Sequence, residues 1–270
     1  MTERSPSDVR ESGRSALAAA MRDRPRDAWP RALGHVVYAR PGSSEDEKAY
    51  YEPGGSFSPA FRTFGLSIWV QSRDGRRIAT SDDIPAHDIE QRFVRSPGGG
   101  LPRIMFRTPF YVGAWMEAES HGWRLTVEPT SEEFDLMLVV RSAGPAGGPL
   151  TTLERRSDSL VINERWALHL RPGFRSIDVG REASGTWQLA QGGTVIDPEG
   201  WAYAIGTLAR GATTIELQPL SEPVQGMTQK FASETSGLTL ELPGARFTDS
   251  LLSQIDPLRM GLVRDETRPG

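Results

Sequence analysis

Two carboxylates stand close together in the middle of the chain, Glu133 and Asp135, with Phe134 between them. Residues two apart on a β-strand point to the same face, so a strand at this position would present both acids side by side. Two acids on one face are what a glycoside hydrolase needs to protonate the leaving group and to assist attack on the sugar. Glu133 and Asp135 are therefore the candidate catalytic residues, and solvent-facing acids at a strand edge are the alternative. The pair Glu117 and Glu119 invites the same argument and has the same alternative.

Tryptophan is the second residue type that could carry chemistry. The chain has seven tryptophans and only five tyrosines. A tryptophan ring can stack on the apolar face of a sugar, although most large aromatic side chains of a β-sandwich belong to its core. Trp69 lies in an apolar run and is expected to be buried. Four others border predicted turns and are the candidate carbohydrate-binding residues: Trp115, Trp123, Trp187 and Trp201.

No motif in the sequence supplies a complete catalytic site. The histidines are far apart, without an HExxH or HxH pair, and the G-x-S-x-G, Walker A and G-x-G-x-x-G patterns are absent. His87 with Asp83 and Asp88 could bind a metal in principle, but a solvated loop is the favoured interpretation. We therefore expect neither a metal nor a cofactor.

Composition excludes several classes of function. The chain has no cysteine, which excludes disulfides and zinc sites with cysteine ligands. Its net charge is −4 and its pI about 5.7, so it lacks the basic footprint of a nucleic-acid-binding protein. No signal peptide and no apolar stretch of membrane-spanning length is visible. We expect a cytoplasmic location and neither nucleic-acid nor membrane partners.

The elements that would position these residues are short strands. The stretches FGLSIWVQS (64–72), WRLTVE (123–128) and FDLMLVVRS (134–142) have strand patterns, and turn residues recur about every ten positions. The sequence predicts an all-β fold, an antiparallel two-sheet β-sandwich of supersandwich-like type with a short C-terminal helical segment. Residues 1–28 are predicted to be a polar, partly disordered tail. Residues 29–245 would form the sandwich, and residues 246–270 a helical linker leading toward a downstream domain.

Two stretches resemble known families. Residues 247–270, FTDSLLSQIDPLRMGLVRDETRPG, resemble the junction in glucoamylase-like and glycogen-debranching-like glycoside hydrolases, where an N-terminal β-sandwich and a linker helix precede an (α/α)6 barrel. This resemblance implies a non-catalytic accessory domain that packs on the catalytic barrel of the same polypeptide and shapes its substrate cleft. The partners it implies are that downstream domain and an oligosaccharide.

The second resemblance concerns the candidate acids. Glu133-Phe134-Asp135 is similar to the start of the E-x-D-x-x-E signature of jelly-roll β-glucanases, but Leu138 occupies the position of the third acid. It implies an alternative function, a β-sandwich glycoside hydrolase that uses paired carboxylates. A free-standing carbohydrate-binding module is a further alternative, and it requires two or more exposed aromatic rings.

Overall fold

The computed structural model describes residues 36–38, 48–85, 88–94, 101–118, 122–142, 144–157, 159–183 and 186–220. Apart from one 3₁₀ turn at Ser81–Asp83, the regular elements of these residues are strands. In chain order they are β1 (Val36–Tyr38), β2 (Ala49–Tyr51), β3 (Phe57–Ser58), β4 (Gly65–Ser72), β5 (Ile78–Ala79), β6 (Glu90–Val94), β7 (Arg103–Arg107), β8 (Tyr111–Glu117), β9 (Trp123–Pro129), β10 (Phe134–Arg141), β11 (Thr152–Arg155), β12 (Ser159–Ile162), β13 (Trp166–Arg171), β14 (Ser176–Ala183), β15 (Thr186–Leu189), β16 (Thr194–Ile196), β17 (Ala202–Thr207) and β18 (Thr213–Pro219).

The strands form two nine-stranded sheets. Sheet A has the order β1-β2-β3-β4-β10-β17-β14-β15, and β5 also pairs with β4. Sheet B has the order β16-β11-β12-β13-β18-β9-β8-β7-β6. Neighbouring strands within each sheet are antiparallel, so the predicted all-β, two-sheet antiparallel β-sandwich is confirmed. The predicted tail (1–28) and helical linker (246–270) lie outside the described residues.

Strand β10 is the centre of sheet A, and its composition explains its place. Its residues from Leu136 to Val140 are all buried, so both faces of the strand are covered. A continuous apolar run is what a strand covered on both sides requires. Leu136, Leu138 and Val140 belong to the core between the sheets, while Met137 and Val139 point to the other face.

Strand β9 shows the alternation of a strand with one face in the core. Trp123, Leu125 and Val127 are buried in the core cluster, whereas Thr126 and Glu128, which alternate with them, point away from it. The period of two fixes which side chains reach the core, because a shift by one residue would exchange the faces. In both sheets we use "outer face" for the face that points away from the opposite sheet.

The predicted hairpin turn at Asp74-Gly75 is present between β4 and β5. Gly75 has a φ of 69°, a left-handed conformation that glycine adopts without steric cost. The hydroxyl of Ser72 donates to Asp74 (2.5 Å), and so does the backbone N–H of Arg76 (3.1 Å). The hydrogen bond from Ser72, followed by the one from Arg76, lowers the pKa of the Asp74 carboxyl below its usual value. The turn is therefore held by an ionised side chain.

Within the part of the chain that the structure describes, no helix is long and apolar enough to cross a membrane.

Candidate functional site

Four aromatic side chains gather on the outer face of sheet A, and we call them the aromatic patch: Trp69, Trp187, Trp201 and Tyr203. Trp187 and Trp201 are exposed, with 38% and 48% of their surface accessible. Trp69 was expected to be buried but is only partly buried, because it points to the outer face while its neighbours Ile68 and Val70 enter the core. The patch therefore offers aromatic surface to solvent.

The register of the sheet brings the patch together. The ring of Trp187 lies 4.3 Å from that of Tyr203 and 5.6 Å from that of Trp69, measured between centroids. Trp69 on β4 and Trp187 on β15 are four strand positions apart, which is about 19 Å across a flat sheet at ~4.8 Å per strand. The two long side chains therefore meet across the strands that lie between β4 and β15.

Glu182 stands between the two exposed tryptophans. It is the cross-strand partner of Trp187 on β15, and its backbone N–H donates to the carbonyl of Trp201 on the other side (2.8 Å). Residues directly opposite each other in a sheet share a face, so Trp187, Glu182 and Trp201 form one row across the outer face. A carboxylate between two exposed rings is the central feature of the site.

An arginine completes the charged part of the site. Arg141 donates through Nη2 to Oε2 of Glu182 (2.9 Å), and its guanidinium carbon lies 5.6 Å from the centroid of the Trp187 ring. This second contact is a cation–π interaction. The ion pair is largely shielded from solvent, with 25% of the Arg141 and 16% of the Glu182 side chain exposed.

Two polar atoms of the ion pair have no hydrogen-bond partner among the described residues. They are Nε of Arg141 and Oε1 of Glu182, and both are buried. An unpaired buried donor or acceptor costs about 1–3 kcal/mol, so such groups are expected to find a partner. One N–H donor and one carboxylate acceptor thus remain beside the aromatic rings.

Tyr203 adds a hydroxyl that keeps its proton. Burial raises the pKa of Tyr203, and the nearby carboxylates of Asp178 and Glu182 raise it further. Gly180, its cross-strand neighbour on β14, makes room for the ring, because a Cβ there would lie 2.8 Å from the tyrosine hydroxyl oxygen. The tyrosine is therefore neutral at physiological pH.

This arrangement is suited to binding a neutral, hydroxyl-bearing ring. Aromatic faces take up its apolar C–H surface, while the partly exposed Arg141 and Glu182 side chains can bond to its hydroxyls. Sequence reasoning proposed Trp187 and Trp201 but missed Arg141, Glu182 and Tyr203. No local pattern marks these three, because only the long-range register brings them to the tryptophans.

The structure corrects the expected exposure of Trp115 and Trp123, which are only 0% and 3% accessible. Trp115 stacks on Phe57 with 4.0 Å between ring centroids and an interplanar angle of 15°. Its indole N–H donates to the carbonyl of Gly55 (2.9 Å), and Phe57 meets Trp123 edge-on. Both tryptophans occupy inward positions of β8 and β9, so they are core residues rather than a sugar-binding platform.

The two candidate catalytic acids, Glu133 and Asp135, have different surroundings. Asp135 is bound to Arg175 (2.5 Å). Glu133 lies in the exposed turn before β10, where its backbone carbonyl accepts from the N–H of Arg73. The carboxylate of Asp135 is neutralised by an arginine, an arrangement different from the free pair that glycoside hydrolysis requires.

The other sequence-based candidates are only partly described. Glu119 and His87 lie outside the described residues. Among the residues that are described, no group of three or more His, Asp or Glu side chains is arranged to hold a metal ion.

A groove of about 430 Å³ lies on the outer face of sheet B. Its lining includes Val112 and Ala114 on β8, which alternate with the inward-facing Tyr111 and Trp115. Glu90 and Arg92 on β6 border the groove at the edge of the sheet. Phe106 is the aromatic residue among the described lining residues, and it is buried, unlike the exposed tryptophans of the patch on sheet A.

No protein-family model and no curated protein sequence matches the chain. Among solved structures, the chain is similar to a family GH92 inverting mannosidase from Bacteroides thetaiotaomicron VPI-5482, with 10% sequence identity and a TM-score of 0.42. The alignment covers 70% of this chain and 27% of the mannosidase chain, so the present chain spans about a quarter of that protein. The mannosidase activity is a property of that protein, and a likeness at this level carries no argument about function.

Proposed function

We propose that the chain is a non-catalytic accessory β-sandwich domain of a carbohydrate-active enzyme and that it binds sugar through the aromatic patch. The observation that carries this proposal is the row of Trp187, Glu182 and Trp201, with two exposed indole rings on either side of a carboxylate. The β-sandwich fold and the resemblance of residues 247–270 to a glycoside hydrolase junction support the same assignment.

In this proposal the sugar is held by two kinds of contact. A pyranose ring stacks on Trp187 or Trp201, whose exposed faces are open to solvent. Sugar hydroxyls bond to the accessible parts of the Arg141 and Glu182 side chains, of which 25% and 16% are exposed. Because the ion pair already balances its own charge, the preferred ligand is a neutral sugar rather than an acidic one.

Binding without hydrolysis is favoured by the placement of the acids. Asp178 and Glu182 are the carboxylates of β14 on the outer face, four residues apart. At about 3.3 Å per residue their Cα atoms are ~13 Å apart, and Gly180 lies between them on the same face, so the two acids are not neighbouring positions of that face. Glu182 is also engaged by Arg141, and Asp135 by Arg175.

The proposed partner is a catalytic domain of the same polypeptide. By the resemblance of residues 247–270 to the glucoamylase-like junction, the sandwich would pack on an (α/α)6 barrel and shape one rim of its cleft. The test is to sequence the natural gene beyond the codon for Gly270. Several hundred helix-forming residues with barrel periodicity are expected, and a stop codon there would favour a free-standing carbohydrate-binding module instead.

Sugar binding is tested by calorimetry against a panel of neutral and acidic oligosaccharides. Trp187→Ala and Trp201→Ala should each weaken binding about tenfold, since a stacking or cation–π contact is worth on the order of 1–1.4 kcal/mol. Phe61→Ala is the matched control, because Phe61 is 39% exposed and lies outside the patch. Absence of binding to every sugar, or equal affinity for the wild type and both tryptophan variants, would refute the role of the patch.

A further inference from the structure

Strand β6 (Glu90–Val94) forms one edge of sheet B and pairs only with β7 among the described residues. It has five residues, whereas the other terminal strands of the two sheets, β1, β15 and β16, have three or four. All five β6 side chains are exposed, including Phe93 (50%) and Val94 (40%). Natural proteins shorten edge strands or protect them with charged side chains, above all lysine, with proline or with a bulge, because an open edge is a template for pairing. Strand β6 contains neither lysine nor proline.

Symmetry restricts how two copies of this strand could pair. In an antiparallel pair related by a two-fold axis perpendicular to the sheet, the outer face of one copy continues into the outer face of the other. Opposite residues must therefore lie on the same face, which requires a single residue to sit on the axis facing its own copy. The residue on the axis decides every other pair.

Among the registers centred on residues 90 to 92, only one pairs opposite charges without also setting identical charges face to face. With Glu90 or Arg92 on the axis, identical charges would face each other, which is destabilising. With Gln91 on the axis, Glu90 faces Arg92 of the second copy, and Arg92 faces its Glu90. The same register places Ile89 opposite Phe93 of the second copy on the inner face. The strand is thus self-complementary in charge and in apolar character.

We propose that β6 is a dimerisation edge, which pairs antiparallel with β6 of a second copy of this chain with Gln91 on the two-fold axis. Glu90 and Arg92 are free for this role, since neither forms an ion pair with any described residue. Pairing would join the two B sheets into one continuous sheet and set their outer-face grooves on either side of the axis. The proposal concerns a surface separate from the aromatic patch and does not depend on the proposed function.

The charge pairs give a reciprocal test by sedimentation velocity of the full chain over a range of concentrations. The wild type should shift with concentration from 29.7 kDa toward twice that mass. Glu90→Arg and Arg92→Glu should each raise the dissociation constant of the dimer at least about tenfold. The double variant, Glu90→Arg with Arg92→Glu, should restore association, because it exchanges the charges within each pair. Arg76→Glu, at an exposed hairpin turn, is the control and should associate like the wild type.

A cross-link tests the register directly. The chain has no cysteine, so Gln91→Cys introduces a single thiol. Opposite residues of an antiparallel pair have Cα atoms about 4.5–5.5 Å apart, within the range that a disulfide spans. Mild oxidation should give a covalent dimer with Gln91→Cys and not with Arg76→Cys at the same concentration. Any of three results would overturn the proposal. The wild type could stay monomeric at all concentrations, a single charge reversal could leave the dimer's dissociation constant unchanged, or both cysteine variants could cross-link equally.

Discussion

Replacing Trp115 with alanine should lower the free energy of unfolding by about 3–5 kcal/mol, the usual cost of deleting a buried large aromatic side chain. The side chain is fully buried and stacks on Phe57 at 4.0 Å, so its removal leaves a cavity at the centre of the core. It also leaves the carbonyl of Gly55 without the indole donor that now lies 2.9 Å away. An unsatisfied buried acceptor costs ~1–3 kcal/mol, which is included in the total.

A second substitution separates the two contributions. Trp115→Phe keeps most of the apolar volume but loses the hydrogen bond to Gly55, so we expect a smaller loss of about 1–3 kcal/mol. Trp187→Ala, at an exposed position, should cost less than either, as surface substitutions commonly change stability by under ~1 kcal/mol. The three variants therefore rank by burial rather than by residue type.

Urea unfolding followed by far-ultraviolet circular dichroism measures these differences without depending on tryptophan emission. Equal m-values across the variants would show that the denatured states are comparable. Because domains of this kind are stable by about 5–15 kcal/mol, Trp115→Ala should still fold. The assignment of Trp115 to the core would be refuted if its replacement by alanine cost no more than Trp187→Ala.

Two further substitutions test single features of the fold. In Gly180→Ala, the new methyl group would collide with the carbonyl oxygen of Gln188 and press on the ring of Tyr203, so we expect a loss of about 1–3 kcal/mol and weaker sugar binding. Gly173→Ala, whose methyl group meets no atom within 4 Å, should leave both the stability and the sugar affinity unchanged. An equal loss of stability in the two variants, measured by urea unfolding, would contradict the packing argument. Since the pKa of Asp74 is lowered in the folded state, the ionised Asp74 side chain should stabilise the fold above about pH 4. This contribution to the free energy of unfolding should fade as the pH falls through the lowered pKa. The wild type should thus be more stable than Asp74→Asn at pH 7 and should lose this advantage in acid. A difference in the free energy of unfolding that does not vary with pH in urea titrations would contradict the role of the ionised Asp74.

Local alternation was enough to predict the strands whose apolar residues enter the core. Strands β4, β9 and β10 follow from FGLSIWVQS, WRLTVE and FDLMLVVRS, and together they determine the fold class. Strand β6 was missed, because Glu90, Gln91 and Arg92 show no apolar alternation and its side chains are exposed on both faces. An edge strand obtains its conformation from its neighbour, which a single stretch of sequence does not reveal.

The face of the sheet to which each tryptophan side chain points was harder to predict. Trp115 lies among apolar residues on both sides of β8, with Ala114 and Met116 next to it, so the alternation that selects the inward face is weak. Trp187 and Trp201 were correctly predicted to be exposed. The carboxylate between them, Glu182, was not predicted as part of the site. Glu182 reaches them through pairing with β15 on one side and with the start of β17 on the other. Such a site is a product of strand order, which propensity and spacing do not encode.

The two proposed surfaces belong to different sheets, and this separation has a consequence for binding. The aromatic patch lies on the outer face of sheet A, and β6 is the last strand of sheet B. Pairing through β6 therefore leaves both patches of a dimer open and makes the assembly bivalent. A polymeric glycan that reaches both patches is held by two sites at high effective concentration, whereas a short oligosaccharide occupies one. If the chain is an accessory domain as proposed, modest affinity at each patch would suffice to hold it on an extended substrate.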